Sequence, residues 1–308
     1  MCFAAAAMVV SAGGTAEAQI GGLIRKVTPK VKLPNLLAGK PPISTNIKDA
    51  IYGDPSQDAF NPGPEMSLTS LQRSKTGGFI LRAGYYSMEA QSYCLHAGTY
   101  GPTSGDGYLY APVKGSAKKI VTAILQNSTK HPEIAQRDIQ MLLWAVVARA
   151  KFENLNNRLK IVAAQLLTQK QLASMNRSAL DVLTNRQVQQ VTGGLPEPIA
   201  RIARAEADMR RMLSGGSSYS DLESVAVLAG IAPRGAGSID VPAQRWSKHP
   251  KGYWVRYNAR SYSRTKVEIF VAPGSKAEGK EYDPATAIAV PVNTAKQRLG
   301  QSARVYGA

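Results

Sequence analysis

One thiol and one carboxamide stand out in this sequence as residues whose types and setting could make a bond. Cys94 is one of two cysteines in 308 residues, and the other, Cys2, lies at the extreme N-terminus. Cys94 falls near the end of the stretch Gly84 to His96, whose apolar alternation predicts a β-strand. Gln140 sits in the run Ile139-Gln140-Met141-Leu142-Leu143-Trp144. Ile139, Leu142, Leu143, Val146 and Val147 recur there at helical spacing. Gln140 shares its line with Leu143, Trp144 and Val147, at the edge of the apolar stripe. A primary amide is a poor acyl donor. A thiolate held against it at near-attack distance can nevertheless displace ammonia and leave an internal thioester. The plain alternative is a buried cysteine and a core or capping glutamine.

Other chemistry is weakly supported. The three histidines (His96, His131 and His249) show no metal-ligand spacing with the usable cysteine, so no metal and no cofactor is expected. The acids are sparse and scattered, which argues against paired-carboxylate catalysis. No Gly-rich phosphate loop follows a strand and opens a helix. A Cys/His hydrolase remains a third reading. His96 lies two residues from Cys94 on the same strand face, while His131 and His249 carry no local signature.

Tyr93-Cys94-Leu95 and Ile139-Gln140-Met141-Leu142-Leu143-Trp144 together resemble the paired signatures of thioester domains in surface adhesins of Gram-positive bacteria. The likeness covers about residues 75–150. It implies that Cys94 is the acyl carrier and Gln140 the acyl donor. It also implies that a partner's amine or hydroxyl opens the bond once and stays attached, which is single-turnover adhesion rather than catalysis. Tyr93, Trp144 and His96 would support the site, the two aromatics by excluding water. This sequence departs from the family in having Ile139 where Thr is frequent and no Leu-Pro-x-Thr-Gly anchor at its C-terminus.

The chain's setting fits an exported protein. Phe3 to Val10 is a short apolar run, followed by small residues up to Ala16-Glu17-Ala18, which predicts a signal-like segment over 1–18 cleaved before Gln19. Cys94 would then be the mature chain's single thiol. The net charge is +17. Residues 19–50 hold six Lys/Arg against one acid, and residues 241–308 hold twelve against four. This excess suggests an anionic envelope polymer or surface protein as partner, and no nucleic-acid motif accompanies it. Arg245, Lys248, Lys251, Trp254 and Arg256 interleave aromatic and basic residues and form the candidate anion-binding set. No apolar run suits a membrane span. A non-covalent structural or binding protein of the envelope, with Cys94 simply buried, is the second reading.

These features must be carried by an α+β chain. A basic extended arm is expected over 19–66, with a short helix near Asn46 to Ile51. A mixed β/helical, thioester-like domain follows over 67–155, with Phe79 to Tyr86 as a strand and Tyr108 to Pro112 as another. A helical region spans 156–230. It includes a helix opened by Ser178-Ala179-Leu180-Asp181, a helix through Ile199, Met209 and Leu213 that stops at Gly215, and a short helix capped by Ser220 and Glu223. A small antiparallel basic β-unit closes the chain over 235–308, with strands at Tyr253 to Tyr257, Lys266 to Val271 and Ala285 to Val292.

Overall fold

The computed structural model describes residues 41–43, 46–178, 192–193 and 197–307. The signal-like segment, the arm up to residue 40 and the helix expected from Ser178 to Gly193 lie outside the described residues, apart from the ends of that helix. The chain is α+β, with most of its strands gathered in one sheet.

The sheet is organised on β3 (Gly84–Cys94), its longest strand. Before it come β1 (Glu65–Ser67) and β2 (Phe79–Ile80). After it come β4 (Thr99–Tyr100) and β5 (Tyr108–Pro112). The later strands are β6 (Val227–Leu228), β7 (Ser247–Lys248), β8 (Trp254–Ser261), β9 (Arg264–Val271), β10 (Glu281–Tyr282), β11 (Ala287–Pro291) and β12 (Leu299–Val305). The order across the sheet is β5-β11-β12-β3-β9-β8-β7, with β1 parallel to the start of β3. The single strand expected over 79–86 is broken, because Gly84 adopts φ +139°. An L side chain rarely adopts that φ, so glycine suits the residue that restarts the strand.

The expected C-terminal β-unit does not stand apart. β9 runs antiparallel to β3 from Gly84↔Val271 to Gln91↔Arg264, and β12 flanks its other edge. β11 pairs with β5 through five residues. A boundary at 235 is therefore not a boundary of the sheet. The apolar alternation was legible, but alternation leaves the pairing partner open. The arm is corrected likewise. Its only helical piece near 46–51 is one 3-10 turn, Ile47–Asp49. Ile43 is buried, Pro42 O accepts from Ala117 N, and Glu65–Ser67 joins the sheet.

The sheet curls until its ends meet, where Tyr110 N–H donates to Ser247 Oγ at 3.4 Å. Tyr86, Met88, Ala90, Tyr108, Tyr110, Tyr257 and Ile269 fill the space inside the curl. The alternate residues Leu109, Ala111, Ile288 and Val290 face outward and are covered by helices. These are α1 (Lys118–Asn127), α2 (Gln136–Val147), α3 (Asn157–Leu166), α4 (Gln169–Ser178), α5 (Glu197–Gly215) and α6 (Tyr219–Ala226). α5 ends at Gly215 as expected. α6 is capped by Ser218 and Asp221 in a reciprocal capping box, not by Ser220 and Glu223. Glu223 is thereby left free to face another part of the molecule.

Candidate functional site

β3 outruns one of its neighbours. β9 pairs with it only as far as Gln91, and the last backbone bond is Ser92 N–H to Ser263 O at 3.0 Å. Residues two apart on a strand turn their backbone groups to the same edge. Ser92 O and both backbone groups of Cys94 therefore point to where β9 has ended. Left bare in a buried place, such groups cost about 1–3 kcal/mol each.

α2 fills that edge with two glutamines. Gln136 Nε2 donates to Ser92 O at 3.1 Å and to Ser263 O at 2.7 Å. Gln140 Oε1 accepts from Cys94 N–H at 2.8 Å, and its Nε2 donates to Cys94 O at 3.1 Å. The spacing explains the match. Four residues of helix rise about 6 Å and two residues of strand about 6.7 Å, so side chains one turn apart meet backbone groups two residues apart. Gln136 was not singled out from the sequence, although its place four residues before Gln140 was there to find.

The helix is pressed into the fold around these bonds. Ten of its twelve residues are buried, including Ile139, Gln140, Leu142, Leu143 and Trp144. Such a helix is held by packing on several sides rather than by a single apolar stripe. It starts at Gln136 rather than near Pro132, with Ala135 as an N-cap that offers no side chain.

Cys94 and Trp144 are fully buried, and Gln140 is nearly so. Trp144 lies one turn beyond Gln140 and stacks on Tyr219, with centroids 5.5 Å apart and planes at 29°. Tyr219 and Tyr262 share a hydroxyl–hydroxyl bond of 3.0 Å, and the Tyr262 hydroxyl donates to Glu223. Tyr219, Tyr262 and Glu223 are half-buried. Burial pushes the Cys94 thiol well above its ordinary range, and the Glu223 carboxylate adds to the rise. Sequence reading missed Tyr219, Tyr262 and Glu223, because α6 and the β8–β9 turn reach the site only through the fold.

Tyr93 is fully buried, donates to Gln91 Oε1 at 2.8 Å, and has its phenol pushed up to about 12 by burial. His96 is held well below its ordinary value, first by burial and then by Arg298, so its ring is neutral at neutral pH. Its Nδ1 makes no hydrogen bond among the described residues. His131 bonds Glu133 at 2.8 Å, and His249 stacks on Tyr253 with centroids 4.3 Å apart. No histidine hydrogen-bonds the Cys94 thiol among the described residues. No group of three metal-ligating side chains occurs among them either.

No known family model, curated protein or solved structure matches this chain. The reading of the site therefore rests on its own geometry.

The anion-binding set is not a free cationic face. Arg245 clamps Asp58 with bonds of 2.9 and 2.8 Å and holds that carboxyl below its usual range. Arg256 makes two bonds to buried Glu268, at 2.9 and 2.7 Å, and lies over the Trp246 ring. Lys251 Nζ donates to Glu281 O at 2.8 Å. Lys248 covers the Trp254 ring at 5.2 Å. Trp254 and Arg256 are only part-exposed on β8, and the acids that pair with Arg245 and Arg256 come from elsewhere in the chain. No helix among the described residues is long and apolar enough to cross a membrane.

Proposed function

We propose that this chain is an exported envelope or surface protein in which Cys94 and Gln140 close an internal thioester. A partner's amine or hydroxyl then opens it once and remains covalently attached. The observation that carries this reading is the two-point hold of the Gln140 carboxamide on the Cys94 backbone.

That hold has the parts an acyl transfer needs. The Cys94 N–H donates to Oε1, the oxygen on which negative charge would develop as the sulfur adds to the amide carbon and gives up its proton. Nε2, the leaving nitrogen, is fixed on Cys94 O. The strand's N–H and C=O lie in the plane of the sheet while its side chain leaves roughly perpendicular to it. The Cys94 side chain thus leaves the plane in which its own backbone holds the carboxamide, and the proposed bond needs its sulfur to lean back over that group. The Sγ–Cδ bond forms, the Cδ–Nε2 bond breaks, and the thiol proton leaves with the nitrogen as ammonia. Glu223, whose charge acts on the thiol, is the proposed relay for that proton. In the second step a partner amine adds to the thioester carbonyl, the C–S bond breaks, and the amine proton restores the Cys94 thiol. The product is an amide between the partner and the former Gln140 side chain.

Burial supports the stability of such a bond, since Tyr93, Trp144 and Tyr219 keep bulk water from it. The apolar run at 3–10 and the net charge of +17 support export and docking on an anionic envelope polymer or surface protein. Incubation with methylamine followed by peptide mapping tests the reading. An N-methylamide at Gln140 that requires Cys94 is expected, and an unmodified Gln140 overturns it.

The same two hydrogen bonds favour a second reading. With Gln136, Gln140 closes the open edge of β3, which by itself is reason enough for a buried glutamine in a non-covalent structural protein. The two readings differ in whether the carboxamide nitrogen is still present in the mature protein.

A further inference from the structure

The molecule holds a concavity of about 430 Å³ that no part of the thioester reading uses. Three segments form it: the turn from Arg73 to Gly77, the end of the α1 region at Thr129, Lys130 and Pro132, and the last residues of β12. Its charged lining side chains are Arg73, Lys75, Lys130 and Arg304, and none of its lining residues is acidic. We propose that this concavity is a binding site for a phosphate- or sulfate-type oxyanion carried on a larger organic group.

The two arginines are the argument. Arg73 donates from Nη1 to Gly77 O at 2.9 Å and from Nη2 to Ala303 O at 3.1 Å. Its guanidinium lies 4.0 Å from the centre of the Phe79 ring. Arg304 donates to Ile134 O at 2.9 Å and to Pro132 O at 3.0 Å. Both forks are thus fixed by neutral carbonyls, and neither forms a salt bridge among the described residues. Elsewhere Arg245, Arg256, Arg264, Lys266 and Lys296 are each matched with a carboxylate. A guanidinium has five N–H donors, so each arginine keeps donors beyond those two bonds. Forked donors held in place suit a tetrahedral oxyanion and lose little freedom on binding it.

The remaining charges agree. Lys75 and Lys130 are exposed and free to turn toward a ligand. Arg73 reaches solvent, and partial burial of its guanidinium lowers its pKa, which a bound anion would offset. Two acids stand at the edges, outside the lining. Glu281 accepts the Ser74 and Thr76 hydroxyls at one rim, and Glu133 bonds His131 on the side of Arg304. The volume falls in the range of small-molecule sites, about 300–1,000 Å³, and Ala303, Pro132 and Val305 offer apolar surface to the body that carries the anion.

Thermal unfolding of the full chain against inorganic phosphate, with ionic strength held constant by sodium chloride, tests the site. Saturable stabilisation is expected, with sulfate competing and chloride inert. K75Q/K130Q should bind roughly tenfold more weakly or worse, the scale of lost hydrogen bonds to a charged group. K118Q/K119Q removes equal charge from two exposed positions outside the concavity and should match the parent. Stabilisation that never saturates overturns the proposal, as does equal weakening in both variants, which would reveal a net-charge effect alone. Cys94→Ala should leave phosphate binding unchanged, so this site and the thioester stand or fall separately.

Discussion

Gln140 engages both backbone groups of Cys94 at once, accepting from its N–H at 2.8 Å and donating to its C=O at 3.1 Å. The residue that supplies the thiol therefore also supplies the donor that polarises the amide. Four consequences can be measured.

The first concerns the open edge of β3. Gln136→Leu strips the side-chain donor from Ser92 O and Ser263 O, and should destabilise the protein by about 1–3 kcal/mol. Gln140→Leu should cost at least as much, because it exposes two Cys94 groups in a fully buried place. Denaturant unfolding reads both. A neutral Gln136→Leu would mean that water or a side-chain shift closes the edge instead.

The second concerns Arg256, which sequence patterning placed on an anion-binding face. Its two bonds to buried Glu268 predict that Arg256→Ala destabilises by roughly 3–5 kcal/mol, since a carboxylate is left unpaired beside Tyr85. Phosphate binding at the Arg73–Arg304 concavity should survive in whatever fraction stays folded. Loss of binding with unchanged stability would restore the original assignment.

The third is a pH dependence. Burial raises the folded Cys94 thiol well above its ordinary value of 9.0, so the folded state keeps a proton that the unfolded chain releases. A protein with a free Cys94 must then lose stability as pH rises through about 9, because the unfolded state binds fewer protons there. A closed thioester has no thiol to titrate, and Cys94→Ala has none either. The parent and Cys94→Ala should therefore trace parallel stability curves from pH 8 to 10. A parent curve that falls away from that of the alanine variant indicates a free thiol.

How far the sequence led can be judged at particular residues. The likeness to thioester domains paired Cys94 with Gln140, strand alternation and helix spacing placed one on each carrier, and the fold brings the carboxamide onto the Cys94 backbone. The α5 helix ended where Gly215 predicted. Pairing was not legible. Nothing local in Arg264 to Val271 says that it lies beside Gly84 to Gln91, since register is fixed by long-range burial. For the same reason Asp58 and Glu268 could not be matched to Arg245 and Arg256. Glu223, Tyr219 and Tyr262 carried no signal either, as each reaches the site from a different part of the chain.

The fourth and most direct measurement is the intact mass of the mature protein beside that of Cys94→Ala. The account predicts that the parent is lighter than its sequence requires by one ammonia, that the variant shows no deficit, and that methylamine abolishes the deficit in the parent. A parent of full sequence mass, with Cys94 titrating as a thiol after unfolding, would contradict the thioester and leave Gln140 as the closure of a strand edge.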